Sequence, residues 1–148
     1  MMLEGRCHCG NIAFALHWEP DPAEIRTRAC TCAFCTRHGA AWIAHPAGRL
    51  RVTIADPASV SAYAFETRTA EFQVCMRCGV PPVVTSRIDG RLYAVVNANT
   101  LDGVDPKLLV RGPVSFDGEA TGTRLERRAR GWIGDVELTY LTAASSAR

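Results

Sequence analysis

The sequence has almost no lysine, little net charge and no long apolar run. Lys107 is the single lysine among 17 basic residues, and the formal net charge of +2 gives no reason to expect a nucleic-acid partner. No stretch approaches the roughly 20 apolar residues that a membrane helix needs. The N-terminus has no basic segment followed by an apolar segment, so it does not resemble a signal peptide. We therefore expect a cytoplasmic protein without a membrane partner.

Strong helix signals are also few, because eight prolines and twelve glycines divide the chain into short pieces. Apolar residues alternate with others at 12–16, 50–54 and 136–140, which is typical of strands. Asp89-Gly90 separates two further strand-like runs and predicts a β-hairpin with a type I′ turn. We expect a single, mainly β domain over residues 1–148, with fraying from about residue 142.

Two short helical segments are predicted. One is a single turn at 56–60, where Pro57 suits the first helical position. The other spans 123–130, and its arginines are interpreted as a solvated helix face, with a nucleic-acid patch as the weaker alternative. Those arginines are Arg124, Arg127, Arg128 and Arg130.

Seven cysteines are the most informative feature of the sequence. An odd number cannot pair fully into disulfides. In the cytosol, clustered thiols bind metal more often than they form disulfides. The cysteines form three groups, which are Cys7-His8-Cys9, Cys30-Thr31-Cys32-Ala33-Phe34-Cys35 and Cys75-Met76-Arg77-Cys78.

The first and third groups together predict a closed, structural zinc site. A tight turn would bring the sulfurs of Cys75 and Cys78 to one point, with Gly79 supplying the positive φ that the turn needs. An extended backbone in Cys7-x-Cys9 would direct both sulfurs to the same side. Four thiolates are the usual ligands of a structural tetrahedral zinc. We call these four residues the cysteine quartet.

The second group, Cys30, Cys32 and Cys35, is called the cysteine trio and predicts a second zinc site that is open. Three protein ligands leave one position of a tetrahedral zinc for an outside molecule, which is typical of a catalytic and more labile metal. Three thiolates make the site electron-rich and a poorer generator of hydroxide than a three-histidine zinc. Zinc is borderline soft and accepts a fourth sulfur, and its binding lowers the pKa of an incoming thiol and holds it as a thiolate. The ligand type therefore favours thiol chemistry at a carbonyl carbon.

Three other interpretations stay open from the residues alone. A thioredoxin-like redox pair would need a βαβ setting. An iron–sulfur cluster would use four of the seven thiolates. In the third, His38 follows Cys35 at metal-ligand spacing and would close the second site, which would then be structural. His8 and His45 are less well placed for that role.

The cysteine groups occur together with further motifs in a fixed order over residues 5–105. These motifs are Gly5-x-Cys7-x-Cys9-Gly10, Cys30-x-Cys32-x-x-Cys35 followed by Arg37-x-Gly39-Ala40, Cys75-x-x-Cys78-Gly79 and Asn99-Thr100-Leu101-Asp102. By these motifs the chain resembles the glutathione-dependent formaldehyde-activating enzyme family, also called the centromere-protein-V family. It departs from the common family pattern at Thr31 and Ala33.

The resemblance implies an Mss4-like fold, a zinc-stapled β-tent of antiparallel sheets with short helical turns. It implies two Zn²⁺ per chain, a structural one on Cys7, Cys9, Cys75 and Cys78 and a second, open one on Cys30, Cys32 and Cys35.

It also implies a carbon–sulfur lyase similar to S-(hydroxymethyl)glutathione synthase, which acts on adducts of a small thiol such as glutathione with an aldehyde. The trio would be catalytic through its zinc, and Arg37 is the candidate partner of a substrate carboxylate. The alternative function is a non-catalytic, zinc-stabilised module that binds a protein or small-molecule partner.

Overall fold

The computed structural model describes residues 1–141, and the fraying expected from about residue 142 lies outside that part of the chain. The described part forms twelve strands, two α-helices and three 3₁₀ turns. The strands are β1 Met2–Arg6, β2 Ile12–His17, β3 Ile25–Cys30, β4 Trp42–Ile43, β5 Arg49–Ile54, β6 Val60–Tyr63, β7 Glu71–Cys75, β8 Val83–Ile88, β9 Arg91–Asn97, β10 Leu101–Asp102, β11 Leu109–Val114 and β12 Asp135–Tyr140. The α-helices are α1 Ala33–His38 and α2 Thr121–Gly131, and the 3₁₀ turns are Pro57–Ser59, Ala98–Thr100 and Pro106–Leu108.

The strands form two sheets, which confirms the predicted mainly β class. The five-stranded sheet has the order β10-β1-β2-β5-β12, and the seven-stranded sheet has the order β11-β3-β4-β9-β8-β7-β6. Paired strands run antiparallel except at two sheet edges, where β11 lies parallel to β3 and β12 lies parallel to β5. Two sheets with short helices agree with the Mss4-like fold.

The main core contains buried side chains from both sheets. Alternation in β2 and β5 directs every second residue into it, as predicted. Ile12 pairs with Ile54 and Leu16 with Leu50, and all four side chains are fully buried. Each such side chain contributes about 1.5–3 kcal/mol relative to an exposed one, so this register is strongly favoured.

The predicted hairpin is formed by β8 and β9. Asp89 has φ of 50° and Gly90 has φ of 79°, and positive values at both central residues are those of a type I′ turn. The turn therefore matches the twist of the two strands that it joins.

The same hairpin separates two apolar regions, because successive residues of a strand face opposite sides. Val83 and Val96 are paired and belong to the main core. Their neighbours Val84 and Val95 are also paired, but they belong to a second buried cluster on the other face. That second face carries the cysteine trio, so the hairpin is the wall between the core and the candidate site.

The two predicted helical segments are also found. The turn Pro57–Ser59 is 3₁₀, and helix α2 covers 121–131, which contains the predicted 123–130. The expected solvated arginine face is wrong, because α2 packs against β8 and Arg128 is only 6% exposed. Within residues 1–141, neither helix has the length and apolar character needed to cross a membrane.

Candidate metal centres

The first half of the cysteine quartet is a turn that follows β1. The Cys7 amide donates to the Ile12 carbonyl at 2.9 Å, and the Gly10 amide donates to the Cys7 carbonyl at 3.1 Å. Gly10 has φ of 86°, which closes the turn. The extended backbone expected for Cys7-x-Cys9 is therefore wrong. β1 ends one residue earlier, and a turn brings the two sulfurs together.

The second half is the predicted turn after β7. The Gly79 amide donates to the Cys75 carbonyl at 2.7 Å, and the Cys75 amide donates to the Val80 carbonyl at 3.1 Å. Gly79 has φ of 79°, the positive value that the sequence predicts for it. This geometry places Cys78 on the same side as Cys75.

The four quartet sulfurs are brought to one point, within 4.8 Å of one another. The Sγ atoms of Cys7 and Cys9 are 3.8 Å apart, and those of Cys9 and Cys75 are 3.5 Å apart. A tetrahedral zinc with bonds of about 2.3 Å requires sulfur separations of about 3.8 Å. The donor set thus fits zinc in chemistry and in spacing, and all seven cysteines are free thiols.

Burial and amide groups act in opposite directions on the quartet thiols. Burial raises the pKa of Cys7 to about 12. Burial also acts against ionisation of Cys78, but the backbone N–H groups of Cys9 and Val80 outweigh it and lower the pKa of Cys78 to about 6. The second turn therefore supplies a thiolate at neutral pH. A divalent cation would compensate the buried negative charge of Cys7 and Cys75 when these thiols ionise.

The trio is assembled at the junction of β3 and α1. Cys30 ends the strand, Cys32 is the N-cap of the helix, and Cys35 lies in its first turn. The Cys32 Sγ accepts a hydrogen bond from the Cys35 amide at 3.3 Å. The helix ends at Gly39, whose φ of 72° and hydrogen bond to the Cys35 carbonyl form the C-cap. The three sulfurs lie within 4.8 Å of one another.

Proton affinity is unequal within the trio. The hydrogen bond from the Cys35 thiol lowers the pKa of Cys30 to about 6, and the Cys32 amide adds to this effect against burial. The same hydrogen bond, together with burial, raises the pKa of Cys35. Cys30 therefore ionises more readily than Cys35, which keeps its proton until a cation displaces it.

The trio lines a pocket that we call the trio cavity. Its walls combine aromatic side chains with arginines from β3 and α2, and part of its rim is the loop between β6 and β7. In that loop Glu66 and Arg68 have φ of 54° and 56°, uncommon values for residues with a side chain. The lining residues are Arg28, Cys30, Cys32, Cys35, Trp42, Phe65, Glu66, Thr67, Ala70, Phe72, Val84, Val95, Val114, Phe116, Asp117, Arg124, Arg127, Arg128 and Trp132.

His38 does not join the trio. The group of sulfurs within 4.8 Å contains no His38 nitrogen. Its ring packs against Phe34 at 4.5 Å between centroids, and neither ring nitrogen has a hydrogen-bond partner among residues 1–141. Burial lowers the pKa of His38 and favours the neutral imidazole. The structure thus gives no support to a second site closed by this histidine.

Arg37 also lies away from the trio cavity. Its guanidinium donates to the Ala33 carbonyl at 2.7 Å, within its own helix. Together with His38 it lines a second pocket, whose lining contains no trio cysteine. The structure therefore does not bring Arg37 to the place where the sequence interpretation needed it. His45 instead stacks on Trp18, with 4.5 Å between the ring centroids.

Sequence reasoning missed the arginines that do reach the cavity. Arg124, Arg127 and Arg128 are spaced three and four residues apart, so they share one face of α2. The spacing was visible, but nothing in the local sequence indicates that this face is turned inward. Arg28 joins them from β3, two residues before the first trio cysteine.

Two comparisons with known proteins agree with this geometry. The family model described as glutathione-dependent formaldehyde-activating enzyme matches residues 2–110. A crystal structure of a Rhodobacter sphaeroides protein superimposes with a TM-score of 0.52 at 32% sequence identity, covering 70% of this chain and 92% of that one. Both cysteine sites lie inside the segment matched by the family model, whereas α2 lies after it.

Proposed function

We propose that this chain, which belongs to the glutathione-dependent formaldehyde-activating enzyme family, is a zinc-dependent carbon–sulfur lyase-type enzyme that acts on adducts of a small thiol with an aldehyde. One observation carries the proposal. Three cysteine sulfurs lie within 4.8 Å of one another, and the three cysteines line a cavity whose walls also contain aromatic side chains and arginines.

The donor chemistry of the two sites supports different roles. The quartet offers four thiolates from two distant parts of the chain, so a Zn²⁺ held there would staple the fold. At the trio, Zn²⁺ would supply a Lewis-acid position that holds a substrate thiol as its thiolate. We assign Cys30, Cys32 and Cys35 to that second metal and Cys7, Cys9, Cys75 and Cys78 to the first.

The surroundings of the trio suit a reaction that has to be shielded from water. Trp42 and Phe72 lie with their rings edge to face, 5.7 Å apart, and both line the cavity together with Trp132. In the condensation the thiol loses its proton and its sulfur forms a bond to the carbonyl carbon. The carbonyl π bond breaks and its oxygen takes up a proton, so no oxidant is required. The main tasks left to the protein are alignment and exclusion of competing water.

The binding-module alternative would gain support from a fourth ligand supplied by the chain. The sequence indicates His38 as the candidate, and His38 is not in the group formed by the three sulfurs. An open position facing a lined cavity favours an exogenous ligand, so the enzyme interpretation is preferred.

The test is acceleration of adduct formation. Exchange NMR with ¹³C-formaldehyde and glutathione measures the rate at which the hydroxymethyl adduct forms in the presence of the zinc-loaded protein. We expect acceleration by the wild type, loss of it in Cys32→Ser, and retention in Thr31→Ser, whose side chain is exposed beside the trio. A wild-type rate equal to the uncatalysed one, with other aldehydes as well as formaldehyde, would contradict the proposal.

A further inference from the structure

Four arginines converge on one end of the trio cavity. Arg124, Arg127 and Arg128 come from α2, and Arg28 comes from β3. They belong to segments that are far apart in sequence, so the cluster is built by the tertiary fold. On the same helix Arg130 is exposed and does not line the cavity. The arginine-rich end is thus formed by one face of α2 together with Arg28 of β3.

Only one of these arginines is fully paired with an acid. Arg127 donates to both carboxylate oxygens of Glu119 at 3.0 Å, and its guanidinium lies 3.6 Å from the centre of the Phe116 ring. The Arg124 Nε is 3.8 Å from the same carboxylate, near the limit of an ion pair. Glu119 therefore neutralises about one of the positive charges.

Arg128 is the most deeply buried of the four, with 6% exposure. One of its terminal nitrogens donates to the hydroxyls of Thr69 at 2.8 Å and Ser86 at 3.3 Å. The guanidinium also lies 5.0 Å from the centre of the Trp132 ring. These contacts orient the group but carry no negative charge. No carboxylate among residues 1–141 lies within salt-bridge distance of it.

A polar atom of Arg128 is left without a partner. Its Nε is buried and makes no hydrogen bond within the part of the chain that the structure describes. Burial, reinforced by the charges of Arg127 and Arg124, lowers the pKa of Arg128 to about 10, so the group is still cationic at neutral pH. Burying a cation whose N–H donor has no acceptor costs free energy unless an anion binds to it.

We propose that the arginine-rich end of the trio cavity is a subsite for a carboxylate of the substrate, formed by Arg128, Arg124 and Arg28. The inference rests on the proposed function and narrows its substrate class to thiols that carry a carboxylate. The thiol is directed to the cysteine trio while the carboxylate pairs with the guanidinium groups. Planar guanidinium groups suit a carboxylate because they can donate two parallel hydrogen bonds.

The test compares two thiols of the same chain length, one ending in a carboxylate and the other in a neutral hydroxyl group. Cobalt-substituted protein is titrated with 3-mercaptopropionate and with its neutral analogue 3-mercapto-1-propanol, and the sulfur-to-cobalt charge-transfer band reports binding at the trio. We expect the wild type to prefer the carboxylate by about tenfold or more. Arg128→Gln and Arg124→Gln should lose most of that preference, and Arg130→Gln should keep it.

Two further measurements keep failure of the subsite distinct from failure of the proposed function. S-methylglutathione has carboxylates but no free thiol, and its binding is followed by the fluorescence of the wild-type tryptophans. We expect saturable binding by the wild type and by Arg130→Gln, and none by Arg128→Gln. Arg128→Lys and the melting temperatures of the variants serve as controls for a loss of packing. Equal affinity of the wild type for the two thiols would overturn the subsite. A preference for the carboxylate that persists in both Arg128→Gln and Arg124→Gln would overturn it as well. A cobalt spectrum unchanged by every thiol would instead count against the proposed function. In that case the S-methylglutathione titration alone decides on the subsite.

Discussion

At the scale of single residues, the two cysteine sites differ in what their buried sulfurs are packed against. Cys9 is exposed and Cys78 partly exposed, but Cys7 and Cys75 are completely buried in the main core, whereas the buried trio member, Cys35, belongs to the second cluster beside the cavity. Loss of a quartet ligand therefore removes a link between distant parts of the core. Loss of a trio ligand changes one wall of a cavity.

This contrast predicts different outcomes for two serine substitutions. Cys78→Ser should unfold or aggregate the protein, because a structural zinc contributes on the order of 10 kcal/mol to folding in peptide models. Cys32→Ser should keep the fold and lose the second metal. Thermal melting combined with metal counting by native mass spectrometry measures both effects. A wild-type melting temperature for Cys78→Ser would show that the quartet is not a structural site.

Gly5 is required by a close approach of strands rather than by its φ. A Cβ at this position would lie 2.5 Å from the Phe14 ring and 2.6 Å from the Thr100 carbonyl oxygen. We expect Gly5→Ala to lower the free energy of unfolding by about 1–3 kcal/mol, because both neighbours are buried and cannot move freely. Gly122→Ala is the matched control, since its Cβ would meet nothing within 4 Å. Urea denaturation compares the two, and equal stabilities would contradict the packing explanation.

Some residue-level features could be predicted because they depend on local backbone. The positive φ of Gly79 and of the Asp89-Gly90 turn follows from the residues themselves. The turn at Cys7 could not be predicted in the same way. It depends on a hydrogen bond to Ile12, which becomes available only when β2 turns back beside β1.

At the scale of elements, strands were easier to predict than the orientation of a helix. β2 and β5 show alternation because one face of each is buried. In α2 the sequence gives no such guide, since it has one leucine and four arginines and therefore no apolar stripe. Which face turns inward is decided by packing against β8 and by the hydroxyls that receive Arg128.

The ion pair between Glu119, which precedes α2, and Arg127 of α2 predicts that the free energy of unfolding depends on pH. Hydrogen bonds from Arg127 hold the pKa of Glu119 below its usual value, and the glutamate side chain is 16% exposed. A depressed folded-state pKa means that the pair stabilises the fold above the unfolded pKa of about 4.3 and that this contribution is lost as the pH falls further. Glu119→Gln should therefore cost about 1–3 kcal/mol at pH 7 and progressively less towards pH 3.

The measurement is the difference in unfolding free energy between variant and wild type at each pH. Taking the difference cancels the loss of metal at low pH, because both proteins carry the same cysteines. Glu126→Gln, which changes an exposed glutamate of α2, serves as the control. A Glu119→Gln difference that stays constant down to pH 3 would show that the pair is not the cause.

At the scale of the whole molecule, the fold places the two candidate metal sites in different mechanical settings. The quartet joins the end of β1 in one sheet to the end of β7 in the other, so it crosses between the sheets. The trio lies at one strand–helix junction within a six-residue segment. One site therefore links the two halves of the architecture, and the other is local.

Stepwise metal removal should separate the two sites. Mild chelation is expected to remove one zinc from the trio with little change in far-ultraviolet circular dichroism. Removal of the second zinc, from the quartet that joins the two sheets, should coincide with loss of the β-sheet signal. Native mass spectrometry and circular dichroism on the same samples provide the measurement. Departure of both metals in a single step, together with the fold, would indicate that both sites are structural.

The position of α2 after the family-matched segment has a consequence for how such enzymes diversify. The ligands of both candidate metal sites lie within the family-matched residues 2–110, while two of the three arginines of the proposed carboxylate subsite lie on α2, after that segment. Exchange of the segment that contains α2 would then change which thiol is selected while the candidate metal ligands stay in place. Grafting 121–131 onto a relative is accordingly a direct route to redirecting substrate preference.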